Sequence, residues 1–193
     1  MITYKVATSR VELQQILDLQ KANLAAVISS EEKEKEGFVT VEHTFEILKA
    51  MNDMCPHIIA IVNNTVVGYA LSMHPSFGTE IDILKPMFNE IEKVVSNPAN
   101  LTKEFKHLHK DKSVADNYIV MGQICVDKEY RRQGIFRNLY KTMLEVISPR
   151  FSTIITEVDA SNSRSINAHY GIGFRKLSTY KANGRLWELI YLE

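Results

Sequence analysis

Two cysteines, one tryptophan and five prolines in 193 residues leave little room for several classes of protein. Cys55 and Cys125 are far apart and match no metal-ligand spacing, so neither a disulfide framework nor a zinc site is expected. Cys125 lies in an apolar run and reads as a small buried residue. No apolar stretch approaches the ~20 residues a helix needs to span a bilayer, which excludes a helical membrane protein. The opening Met1-Ile2-Thr3-Tyr4-Lys5-Val6 has no charged-then-apolar leader, so a cytoplasmic protein is expected. Net charge is absent as well: 23 Lys and Arg balance 23 Asp and Glu, which argues against a nucleic-acid binder that depends on a basic surface. What remains is an ordinary globular composition, 45% hydrophobic and 24% charged, at a length that favours one domain spanning 1–193.

Against that neutral background one segment is locally basic. Val126 to Lys141 carries Lys128, Arg131, Arg132, Arg137 and Lys141 against Asp127 and Glu129, a local charge of +3. It also contains Gly134, placed between an apolar strand-like run and a strongly periodic helix. A glycine at such a turn lets backbone approach a ligand closely, and the unpaired amides of the first helical turn attract anions. Phosphate is the anion to suspect. Arg131 and Arg132 as plain surface charges would oppose the helix dipole there, which favours a functional reading.

The order of elements follows from local signals. A strand over 2–7 precedes a helix capped by Ser9 and Glu12, with Leu13, Ile16, Leu17 and Leu24 at helical spacing. The charged run Ser29 to Glu36 reads as a solvated face that Gly37 ends. Thr40 is expected to cap a second helix with Val41, Phe45, Leu48 and Met51 on its apolar face, stopped by Pro56. His57–Val62 and Thr65–Leu71 form a hairpin about Asn63-Asn64, residues that tolerate positive φ. Residues 73–117 read as an insertion over one face, with Pro86 and Pro98, a helix near Ile83 to Val95, and a basic patch from Lys106 to Lys112. Within that patch His107 and His109 diverge on either regular geometry and so do not suggest a metal. Then come a strand over Tyr118–Val126 and a helix with Phe136, Leu139, Tyr140, Met143, Leu144 and Ile147 on one stripe, closed by Pro149. A strand over Thr153–Val158, a short helix capped by Asn162 and ending near Tyr170 or Gly171, and a hairpin about Asn183-Gly184 complete the chain.

In that order, Arg131-Arg132-Gln133-Gly134-Ile135-Phe136 and the later Asn162-Ser163-Arg164-Ser165-Ile166-Asn167-Ala168-His169 with Gly173-Phe174 resemble the GNAT acetyltransferase superfamily. The likeness covers Asp116 to Glu193 in motif and the rest in topology. It implies an α/β (α+β) fold, a mixed and mostly antiparallel central sheet flanked by helices, in which two parallel strands splay apart to form an acetyl-CoA cleft. It implies acetyl-CoA as acyl donor without a metal, held by Ile124, Cys125 and Val126 on the strand, by Arg131, Arg132, Gln133, Gly134, Ile135, Phe136 and Arg137 at the turn, and by Asn162 and Ser165. Phe136 departs from the family's Gly or Ala, so its ring must point toward the sheet for the diphosphate contact to survive. His169 stands where many members carry a tyrosine acid, and Tyr170 is one residue beyond. His169 is read either as proton donor or as a packing residue.

The chemistry itself sets requirements. An amine of pKa ~10.4 is neutral in about one molecule in 2,500 at pH 7, so a proton must leave before attack on the thioester. A thiolate from a thiol of pKa ~8.5 then departs, helped by an acid. Amides of Ile124 to Val126 suit an oxyanion site if the strand parts from Thr153–Val158. The strand lacks the glutamate that some members use as base and offers Gln123. Glu157, Asp159, Tyr118, His74, Glu80 and a chain of waters stay open as alternatives. An N-acetyltransferase acting on a primary amine of a small molecule or peptide is the leading expectation, as monomer or homodimer. A non-catalytic acyl-CoA-binding domain and a transferase of longer acyl groups or to an O-acceptor are the others.

Overall fold

A computed structural model describes residues 1–96 and 117–193, and the expected basic patch with His107 and His109 lies outside them. The chain opens with β1 (Thr3–Val6) and α1 (Arg10–Ala22). Ser9 and Glu12 form the expected capping box, satisfying backbone donors that the first turn leaves open. A short α2 (Ser30–Glu36) has its own capping box from Ser29 and Glu32 and ends at Gly37, whose φ of 76° turns the chain in a way few other residues tolerate. Next is α3 (Phe45–Met54), capped by Thr44 rather than Thr40. Val41 is therefore not helical. Its carbonyl instead accepts a hydrogen bond from Gln123 Nε2 at 2.9 Å, a partner remote in sequence that local capping patterns do not reveal.

The hairpin of β2 (Ile58–Val62) and β3 (Thr65–Met73) closes through Asn63 and Asn64 at φ 49° and 63°, as a tight turn of this hand requires. Within the 73–117 stretch, α4 (Pro75–Gly78), a 3₁₀ turn (Asp82–Leu84) and α5 (Lys85–Ser96) are described. Met87, Phe88, Ile91 and Val94 of α5 are buried in the core, so this helix belongs to a packed layer. After β4 (Tyr118–Val126) and a 3₁₀ turn (Lys128–Tyr130) come α6 (Ile135–Ile147), β5 (Thr153–Asp159), α7 (Ser163–Tyr170) and the hairpin of β6 (Arg175–Ala182) and β7 (Arg185–Leu192).

The seven strands lie in the order β1-β2-β3-β4-β5-β7-β6. Antiparallel pairing holds throughout except between β4 and β5, which run parallel. Alternation along each strand sends residues to two cores. One gathers Ile59, Tyr69, Leu71, Val120, Ile155 and Leu189 under α1, α3 and α5. The other gathers Ile58, Ala60, Ala70, Ile119, Ile154 and Ile190 under α6, whose stripe Ile135, Leu139, Tyr140, Met143 and Ile147 is fully buried. Among the described residues no helix is long and apolar enough to cross a membrane.

The parallel pairing of β4 and β5 is short. It runs only through Tyr118–Thr153, Ile119–Ile154 and Val120–Ile155. Beyond it, β4 carries an extra residue relative to β3 between Val120–Met121 and Gln123, which leaves Gly122 exposed in the middle of an otherwise buried strand. A bulge bends its strand and increases local twist, and here it accompanies the parting of β4 from β5. The splay expected of the fold is thus present.

Candidate active site

A cavity of about 360 Å³ lies beside the end of β4 that has parted from β5, between the turn before α6 and the start of α7. Its floor is Ile124, Cys125 and Val126 of β4, and one wall is the turn formed by Arg131, Arg132 and Gly134 with Ile135, Phe136 and Arg137 of α6. The opposite wall is Asn162 with Arg164, Ser165 and Ala168 of α7. The structure thereby brings together eleven of the twelve residues that the sequence suggested for a cofactor. Gln133 is apart from them: its side chain is exposed and Nε2 donates to the Glu129 carbonyl at 3.4 Å.

The turn has the geometry of an anion site. Gly134 caps α6 at φ 78° and ψ 6°, and no side chain hydrogen-bonds to the first-turn amides. Arg132 also lies at positive φ, 62°, a conformation few non-glycine residues adopt. The two left-handed residues turn the chain so that α6 begins at the cavity with its donors open, where backbone and dipole both favour negative charge. Four arginines line the same cavity: Arg131, Arg132, Arg137 and Arg164. Arg131 is the most constrained. Its Nε donates to the Val126 carbonyl at 3.0 Å, Nη2 to Asn23 Oδ1 at 2.8 Å, and Nη1 to Glu36 Oε2 at 3.0 Å.

Phe136 is half-buried against the core cluster beneath α6 and also lines the cavity. Its ring packs edge-on against Tyr140 at 5.3 Å and His169 at 5.0 Å, between α6 and α7. Tyr140 and His169 extend these contacts into an aromatic cluster that includes Phe174.

The three residues that sequence reasoning put forward for catalysis all have other partners. His169 is 1% exposed. Its Nδ1 donates to the Ser165 carbonyl at 2.7 Å, which fixes Nε2 as the acceptor of the Tyr140 hydroxyl at 2.7 Å. Burial pulls its pKa down to about 4, against the opposing effect of the Ser165 carbonyl, so the ring is neutral. Tyr170 points away from the cavity and donates to Glu188 Oε2 at 2.5 Å; burial and that carboxylate push its pKa up to about 12. Gln123 is buried, its Oε1 accepting from Tyr69 Oη and Gln20 Nε2, both at 2.6 Å, while Gln20 Nε2 also reaches His43 Nδ1 at 2.8 Å. With Nε2 on Val41, every polar atom of Gln123 is engaged.

Among the bases left open, Glu157 is the one beside the splay. It follows Thr156 by one residue and lies two residues beyond Ile155, the last residue of β5 paired with β4. Burial raises its pKa and outweighs the hydrogen bond that Tyr180 Oη donates to Oε2. Asp159 is the reverse case: burial opposes its ionisation, but hydrogen bonds from Ser161 and then Arg185 prevail and hold its pKa low. His74 bonds Ser76 and packs edge-on against Phe151 elsewhere in the fold, and Tyr118 is buried, which pushes its pKa up to about 12. Among the described residues no cluster of three or more His, Cys, Asp or Glu is arranged for a metal.

Sequence reasoning did not assign to the cofactor the segment that closes the cavity on its remaining side. Glu36, Gly37, Phe38 and Val39 line it together with Asn23. Only Gly37, following a charged run, gave a local sign of a turn there.

No curated protein matches the chain in sequence. Solved structures do match in fold. A NatC complex bound to Gag peptide and CoA superposes with a TM-score of 0.62 at 15% identity, covering 99% of this chain and 97% of that one. Ard1 from Thermoplasma volcanium gives 0.63 at 12% identity, covering 99% and 96%. Naa50 of Arabidopsis thaliana, in complex with the bisubstrate analogue CoA-Ac-MVNAL, gives 0.59 at 14%, covering 100% and 98%. The splayed strands, the open helix start and the Asn162 wall thus stand within a match to the family model over residues 19–174, and the chain belongs to the acetyltransferase (GNAT) family.

Proposed function

We propose that this protein is an acetyl-CoA-dependent N-acetyltransferase that moves the acetyl group directly to a primary amine, either a peptide N-terminus or a small molecule. The observation that carries the reading is the parting of β4 from β5 after Val120–Ile155, beside a helix start whose amides have no cap. The donor fits the cavity by chemistry: a diphosphate suits the Gly134 turn and its arginines, and a pantetheine arm suits the apolar floor with open strand backbone. Peptide acceptors are favoured by the fold relatives captured with a Gag peptide and with CoA-Ac-MVNAL.

In this reading, amides of β4 near Ile124 hydrogen-bond the thioester oxygen and stabilise the charge it gains on attack. Glu157 takes the proton from the amine; its raised pKa brings it nearer to that of the group it must deprotonate. The C–N bond forms, the C–S bond breaks, CoA departs as a thiolate, and the second proton that the new amide nitrogen must lose passes to that thiolate through solvent. A thiol of pKa ~8.5 is an adequate leaving group at neutral pH, so no dedicated acid is required. His169 and Tyr170 are accordingly assigned no proton transfer. His169 holds α7 against α6 through Tyr140, which keeps the Asn162 wall in place.

The test is a thiol-release assay with acetyl-CoA and a panel of short peptides with free N-termini, alongside polyamines and aminoglycosides. Acetylation of at least one amine, confirmed by mass, is expected. Binding of CoA with no acetyl transfer to any of them would instead favour an acyl-CoA-binding domain.

A further inference from the structure

The cofactor cavity contains one carboxylate among its described lining residues, Glu36, and it faces the arginines of the anion turn. Its Oε2 accepts from Arg131 Nη1 at 3.0 Å, and Oε1 lies 3.9 Å from Arg132 Nη2. A carboxylate at the last residue of a helix opposes the helix dipole, so the position is unfavourable without those cations. Beyond Glu36 the chain turns at Gly37 and crosses the mouth of the splay. Along this crossing the Phe38 carbonyl accepts from Asn162 Nδ2 at 3.2 Å, Val39 pairs with Leu24, and the Val41 carbonyl accepts from Gln123 Nε2. Phe38 also lines a second cavity of about 650 Å³, between α2 and the β6–β7 turn, so it is a shared wall.

We propose that Glu36 is an internal competitor for the diphosphate of acetyl-CoA, and that the cofactor displaces it from Arg131 and frees the start of the 37–41 strap. The inference rests on the reading of the first cavity as the acetyl-CoA site. Its physical basis is direct. A diphosphate brought to the Gly134 turn repels Glu36 and attracts Arg131 and Arg132, the two groups that hold Glu36 in place. The strap then loses the anchor at its start while keeping those at Phe38, Val39 and Val41.

Calorimetric titration with CoA as the probe decides it. Glu36→Gln keeps the shape and a hydrogen bond to Arg131 but removes the charge, and it is expected to bind CoA roughly fivefold more tightly, the scale of one partly exposed ion pair. If Glu36 merely oriented Arg131 for the cofactor, the variant would bind equally or more weakly, and that result overturns the proposal. Glu129→Gln changes the same charge on the neighbouring turn and is expected to leave affinity unchanged; an equal gain there would reduce the effect to general charge and also overturn it. Hydrogen exchange on the unmodified protein gives a second readout. The amide of Gly37, bonded to the Lys33 carbonyl at the end of α2, should exchange faster with CoA bound, and protection would contradict the displacement. Absence of CoA binding in both proteins would overturn the reading of the cavity itself, an outcome distinct from binding that Glu36→Gln fails to tighten.

Discussion

Thr156 Oγ1 donates to the Met121 carbonyl at 2.8 Å, one residue beyond the last backbone pairing of β4 with β5. A side chain thus takes over where the ladder stops and marks the apex of the splay. Thr156 is 2% exposed, so water does not compete for the bond. Thr156→Val keeps the volume and removes the donor. A loss of about 1–2 kcal/mol is expected in urea unfolding, with Thr156→Ser recovering most of it. Unchanged stability in the valine variant would show that the strands part without this tie.

Glu157→Gln separates chemistry from binding. The variant should lower kcat by roughly a hundredfold or more, in the range of a lost general base, while the KM for acetyl-CoA stays near that of the unmodified protein. Tyr180→Phe removes the hydrogen bond that opposes the upward shift of Glu157, so its carboxyl is expected to titrate higher still. A Glu157→Gln enzyme with full kcat would transfer the base role to a water chain.

Gly134 provides a test of the anion turn that does not depend on catalysis. A Cβ there meets only Asn138 Nδ2, at 3.7 Å, so space is available, but φ is 78°. A β-branched side chain such as Val is strained at that φ, and Gly134→Val is expected to disturb folding as well as binding. Asparagine tolerates the left-handed region. Gly134→Asn should therefore fold, with circular dichroism and melting close to the unmodified protein, while CoA affinity falls at least about tenfold through bulk at the diphosphate.

Three histidines give the protein an acid-sensitive stability. Burial lowers His43, His57 and His169 each to about 4 from 6.5. The unfolded chain therefore binds protons that the folded one refuses, and stability falls as pH drops from 6.5 toward 4. Each histidine contributes up to about 1.4 kcal/mol per pH unit in that window. Urea titrations at pH 7 and pH 5 should show a smaller loss for His169→Gln than for the unmodified protein. Equal losses would mean that His169 is protonated in the fold.

Much of the architecture was legible because its signals are local. Asn63-Asn64 and Asn183-Gly184 specify their hairpins by backbone conformation, and the stripe of α6 needs only its own periodicity. The splay was legible through the resemblance, since Gly134 and Asn162 lie close to it in sequence order. What escaped reading depends on distant partners. Thr40 and Val41 looked like a helix start, but Val41 is held by Gln123, and the helix begins after Thr44. Glu36 looked like one more solvated charge, yet its partner is Arg131 on the far side of the sheet sequence. Gln123 and His169 are polar residues at promising positions whose buried hydrogen bonds no local pattern discloses. Conversely, Glu157 stood among six alternatives, and only the register of β5 against β4 singles it out.

The most direct test of the account is a calorimetric titration of the purified protein with acetyl-CoA, paired with Gly134→Asn. Micromolar binding with a stoichiometry of one, weakened at least about tenfold in the variant, is the predicted result. No binding by the unmodified protein, or equal binding by both, would contradict the assignment of acetyl-CoA to the cavity beside the splayed strands.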